Sequence, residues 1–149
     1  MIINYLIDKI EATRDDNIPP ETQVGISNNI TVTDVEQDQK FKILKFKFKF
    51  DAVFTGNDTE LGKIVIQGFV VYTGGDLDKI YKTWEESKKI DPSVAEEILQ
   101  ASLNVSILEA MSIAKMIQLP SILPLPKVST NAPSETGEEE QPHKKGSKK

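Results

Sequence analysis

Few residues in this sequence have the type and spacing that chemistry needs. The 149 residues include one histidine, His143, and no cysteine. Thiol chemistry, disulfides and thiolate metal sites are removed together. A zinc site or a serine–histidine pair has no suitably placed imidazole. Carboxylates pair at Asp76/Asp78 and at Glu96/Glu97. Both pairs open expected helices, where acids complement the helix dipole. Asp51, Asp58 and Glu60 flank a turn without calcium-loop spacing. Gly74-Gly75 lacks a phosphate-loop pattern after it and reads as a strand terminator. No catalytic residue, metal or cofactor is expected, and the chain does not read as an enzyme.

The most conspicuous polar pattern is Lys42, Lys45, Lys47 and Lys49, interleaved with Phe46, Phe48 and Phe50. Basic and aromatic residues together suit single-stranded nucleic acid. Here period two puts them on opposite faces of a strand. Bases would meet lysines without an aromatic stack. The net charge of −5 also opposes broad binding to phosphate backbones. In the last eighteen residues Glu135, Glu138, Glu139 and Glu140 balance Lys144, Lys145, Lys148 and Lys149. The body therefore carries the whole deficit. Nucleic acid is not the expected partner. A ribosome- or RNA-associated adaptor using the lysine face and basic end is the alternative reading.

These residues sit on recognisable elements. Leu44, Phe46, Phe48, Phe50, Ala52 and Phe54 share one parity, which predicts a half-buried strand over 41–54. Thr55 to Thr59 is a turn cluster, and the β-branched run 61–72 completes an antiparallel hairpin. Gly68 marks a bulge or a close approach inside it. Residues 25–36 predict a further strand, joined to the next by a turn at 37–40. Segment 2–13 is ambiguous, since Ile3, Leu6, Ile7 and Ile10 fit a helix while Leu6, Ile10 and Ala12 fit a strand. Residues 14–21 form a loop.

Leu77, Ile80, Tyr81 and Trp84 recur at helical spacing. Asp91 and Pro92 suit the cap and first turn of a second helix over 92–118. That helix carries a stripe of Val94, Ile98, Ala101, Val105 and Leu108. Leu103, Ile107, Met111, Ile113 and Ile117 widen it beyond what one sheet face covers, so these five are candidates for a subunit interface. Residues 121–128, with Ile122, Leu123, Leu125, Pro124 and Pro126, are expected to be extended and laid against the domain. Residues 131–149 are expected to be disordered, leaving 1–130 as one domain. No apolar run is long enough to span a membrane, no signal peptide is recognised at 1–11, and a cytoplasmic location is the default.

In layout and in several short stretches the chain resembles the SecB-type export chaperones, as a distant member. Tyr5-Leu6-Ile7-Asp8-Lys9-Ile10-Glu11-Ala12 is similar to that family's first strand, and Ile30 to Glu36 to its second. The hairpin 46–72 is similar to the third and fourth. The long helix with Leu119-Pro120 and Leu125-Pro126-Lys127-Val128 after it is similar to the main helix and proline-bearing segment. The resemblance covers nearly all of 1–128. It implies a strand at the N-terminus, hence an α+β fold. A four-stranded antiparallel sheet is packed on one face by a long helix, with a short crossover helix.

The resemblance also implies a homo-oligomer, a dimer or a dimer of dimers. It would bind unfolded polypeptide clients in apolar grooves without nucleotide, with a link to protein export. Candidate client contacts are Tyr81, Trp84, Ile122, Leu123 and Leu125. Two regions depart from the family pattern. The charged tail stands where a last helix is usual, and 77–90 is more helical and more charged than the usual crossover. Both departures bear on coupling to the export motor.

Overall fold

The computed structural model describes residues 1–19 and 21–120. Four strands come first: β1 (Ile2–Arg14), β2 (Gly25–Asp38), β3 (Ile43–Gly56) and β4 (Thr59–Tyr72). Two helices follow, α1 (Leu77–Ser87) and α2 (Pro92–Met116). The strands form one antiparallel sheet in the order β1-β4-β3-β2. Helix α2 lies across β4, β3 and β2, and α1 across β2 and β3, all on one face. This is the expected α+β architecture.

The phenylalanine row explains that face. Leu44, Phe46, Phe48, Phe50, Ala52 and Phe54 are essentially fully buried. Each large apolar side chain so buried contributes roughly 1.5–3 kcal/mol. Ile64, Ile66 and Val70 of β4 extend the same floor. Helix α2 lies on it through Ile98, Ser102, Ser106, Ala110 and Ala114. Four of these are small and recur every fourth residue, which lets the helix axis come close to the phenylalanines. The Ser102 hydroxyl donates to the Ile98 carbonyl at 2.8 Å.

The turns follow local chemistry. Asn57 and Asp58 both have positive φ, as a two-residue type I′ hairpin requires. The β2–β3 turn falls two residues later than the sequence suggests. The Asp38 carboxylate accepts from the Lys40 and Phe41 amides, and Lys42 takes a left-handed conformation. Strand β2 therefore runs on to Asp38, and Phe41 stands exposed in the turn.

The ambiguous N-terminal segment is a strand. Its pairing with β4 slips once between Ile2 and Asn4 and once between Ile7 and Lys9. The slips place Ile2, Tyr5, Ile7, Ile10 and Ala12 opposite Tyr72, Val70, Gly68, Ile66 and Ile64, all on the helix-bearing face. The resulting spacing of three and two imitates a helical stripe, which is why periodicity left both readings open.

Both helices carry the expected caps. Asp76 accepts from the Lys79 amide and Asp91 from the Ser93 amide, each at 3.2 Å, with Pro92 just inside α2. Helix α2 ends at Met116 in a Schellman turn. Gln118 is left-handed, its amide donates to Lys115 and the Leu119 amide donates to Ala114. Pro120 cannot continue the helix. The expected extended segment 121–128 and the expected disordered tail lie outside the described residues.

Candidate functional site

Three surfaces could carry function, and each follows from the sheet order. The first lies beside edge strand β1. Because α2 stops over β4, the helix-bearing side of β1 is poorly covered: Tyr5 is 54% exposed and Ile10 45%. Ile3 and Leu6 are exposed on the same strand. On α2, Leu108 is 68% exposed and Met111 and Met116 also reach solvent. Between the start of β1 and the first turns of α2 runs an open groove of about 480 Å³. Ile2, Glu97, Gln100, Ala101 and Asn104 are among its walls. Exposed apolar residues gathered along an edge strand and an adjoining helix mark an interaction surface.

The second surface is a polar groove between α1 and the end of β2. Gln37, Gln39, Asp78, Tyr81, Lys82, Glu85 and Glu86 line it. Gln37 donates to Asp78 at 2.6 Å, and the Tyr81 hydroxyl donates to Glu85 at 2.9 Å. That hydrogen bond, then burial, then the Glu85 charge raise the Tyr81 pKa. The groove is predominantly acidic and already internally hydrogen-bonded.

The third is the far face of the sheet. There the lysine row meets its counter-charges. Lys45 and Lys47 stand in register with Glu36 and Asp34. The Lys47 ammonium lies 2.9 Å from Glu36. Hydrogen bonding to Glu36 and its charge raise the Lys47 pKa, with Asp34 and Asp8 adding to them. The Lys45 ammonium sits 5.1 Å from the Phe69 ring centre. Asp51 shares this face with Lys49. A row so interleaved with acids offers little field to a phosphate backbone.

The residues singled out in the sequence fall in different places. Trp84 is 8% exposed and belongs to the core under α1, with the Lys88 ammonium 5.2 Å from its ring centre. Tyr81 is half-buried at the polar groove. Ile122, Leu123 and Leu125 lie outside the described residues. Leu103, Ile107 and Ile113 are buried within this chain, Ile117 is half-buried, and Met111 is the exposed one of the five. Sequence reasoning passed over Ile3, Tyr5 and Ile10 as surface. Their exposure depends on β1 being an edge beyond the reach of α2, and strand order is not written in local periodicity.

Among the described residues, no group of three or more acids or histidines could hold a metal ion. Among them, too, no helix is long and apolar enough to cross a membrane.

No family model matches the sequence, and no curated protein matches it. Among solved structures the chain is similar to the SecB-like chaperone Rv1957 of Mycobacterium tuberculosis, solved in complex with a ChAD peptide from the Rv1956 HigA1 antitoxin. The TM-score is 0.57 at 10% sequence identity, over 84% of this chain and 89% of that one. The likeness is one of fold: this sheet and these helices share their arrangement with a SecB-like chaperone.

Proposed function

We propose that this chain is an ATP-independent, chaperone-like module that binds extended segments of non-native polypeptides. The observation that carries the reading is the apolar surface along β1 and the outer side of α2, where Ile3, Tyr5, Leu108 and Met111 are exposed. The shared fold with a peptide-bound SecB-like chaperone supports it. Binding would bury client side chains at roughly 25 cal/mol per Å². The net charge of −5 would keep the loaded complex in solution. No nucleotide, metal or covalent step enters this mechanism, and we read the chain as a binding protein and not an enzyme. A second copy set against the first half of β1 and the outer side of α2 would give a dimer, and the same reading extends to a link with protein export.

The test is calorimetric titration of the full chain with a reduced, carboxymethylated polypeptide that cannot fold. Saturable binding is expected without nucleotide. The double substitution Leu108→Asp/Met111→Asp should weaken it by about tenfold or more, the loss of one or two buried apolar contacts. Both side chains are exposed, so the fold should survive. Absent binding, or binding indifferent to this pair, contradicts the proposal.

A further inference from the structure

Every sulfur atom of this chain lies at its surface. The sequence has three methionines and no cysteine. Met1 is 65% exposed, Met111 36% and Met116 73%, and no methionine is among the buried core residues. We propose that Met111 is a reversible oxidation site, through which a peroxide lowers the affinity of the outer side of α2 for non-native polypeptide. This rests on the client-binding role proposed for that surface and adds a control to it.

Methionine is commonly drawn into cores, where its flexible thioether fills irregular gaps. Here the core is built without it, from the phenylalanine row of β3 and from side chains such as Ile64, Ile66, Ile98 and Leu103. The single tryptophan, Trp84, is buried as well. Among the described residues, an oxidant of soft sulfur therefore meets no group that holds the fold together. Its effect falls on the surface.

Met111 is placed where that effect bears on binding. Leu108 and Met111 are three residues apart on α2, so they are neighbours on one side of the helix, and both are exposed. Lys115, four residues beyond Met111, shares that side and is exposed too. Met116 is five residues beyond, which turns it about 140° around the axis from Met111. Met1 lies beside Thr73 at the start of the chain. Met111 is thus the thioether that adjoins Leu108.

Hydrogen peroxide or an alkyl hydroperoxide is the co-reactant. A sulfur lone pair attacks one peroxide oxygen, the S–O bond forms and the O–O bond breaks. Sulfur loses two electrons and the peroxide gains them, its other oxygen leaving as water or alcohol after proton transfer. The product is a polar sulfoxide in place of an apolar thioether. In the open surface, water or the Lys115 ammonium donates to the new oxygen. Under an apolar client side chain it has no donor, and burying an unpaired polar group opposes binding. Methionine sulfoxide reductases reverse the step, releasing the oxygen as water while two thiols become a disulfide.

Calorimetric titration of the full chain with the reduced, carboxymethylated polypeptide tests this, before and after exposure to hydrogen peroxide that is removed ahead of the titration. Peptide mass spectrometry locates the added oxygens. Oxidation at Met111 should raise Kd on the order of fivefold without lowering Tm, and sulfoxide reductases should restore it. Each variant is compared with its own unoxidised form. Met116→Leu should lose affinity on oxidation as the unmodified chain does, and Met111→Leu should keep it. The proposal is overturned if Met111 stays unoxidised, if the oxidised chain binds as tightly as before, or if Tm falls with the affinity. It is overturned equally if Met111→Leu loses as much as the unmodified chain. Absent binding in both states contradicts the client-binding role and this site with it, whereas binding indifferent to oxidation removes the site alone.

Discussion

Single residues fix the geometry of β1 more tightly than its apolar content does. Gly68 sits opposite Ile7 at the slip, and a Cβ there would lie 2.1 Å from the Leu6 carbonyl oxygen. The atoms it would meet are β1 backbone, at Leu6 and Ile7, which makes this clash hard to relieve. Gly68→Ala is expected to destabilise the fold by about 1–3 kcal/mol, measured by urea unfolding, with β1 amides losing protection first. The sequence marks Gly68 as a bulge or close-approach position, and the phenylalanine row as core, because both are local patterns. Trp84 shows the opposite case. Its helical spacing favours core packing over a client site without deciding between them, and the packing of α1 on β2 and β3 places it inside.

Asp91 makes a residue-scale prediction with a pH sign. Its hydrogen bonds to Ser93, chiefly from the hydroxyl at 2.6 Å, hold its pKa below 3.8. A carboxylate with a depressed folded-state pKa stabilises above its unfolded value and loses that contribution as pH falls through the folded one. Asp91→Ala should therefore lower Tm at neutral pH. The gap to the unmodified chain should narrow below pH 3.8 and close at lower pH. Thermal melts across that range measure it, and a gap that does not vary with pH contradicts the assignment.

At the scale of elements, the helices and the β3–β4 hairpin are legible in the sequence because their signals are short-range: caps at Asp76 and Asp91, alternation over 44–54, and a turn at 57–58. Strand β1 is not, because its two slips break the period of two. The candidate surface is illegible for a related reason. Whether Ile3, Tyr5 and Ile10 are core or surface depends on which strand ends at the sheet edge, a property of topology. The edge also makes an assembly prediction. Ile3→Lys/Tyr5→Lys places charge on the open half of β1 and should shift the proposed dimer, read by native mass spectrometry, towards monomer. An unchanged mass distribution would remove the first half of β1 from the interface.

On the scale of the whole molecule, charge and apolar surface are segregated. The far face of the sheet matches lysines with acids on the neighbouring strand, which leaves it soluble and without a strong field. The helix-bearing face buries its centre and leaves its β1 flank open. The SecB-like resemblance in the sequence and the shared fold agree on the four-stranded antiparallel sheet backed by helices. The order of the elements is readable from strand and helix patterns along the chain, and the register of β1 is not. The open flank follows from the way four strands and one long helix lie side by side.

The most direct measurement of the central claim is aggregation of a denatured test protein followed by light scattering. The full chain, at equimolar ratio and without nucleotide, is predicted to suppress the scattering, and the Leu108→Asp/Met111→Asp form to suppress it markedly less. Scattering that rises as fast with the unmodified chain as without it would contradict the account.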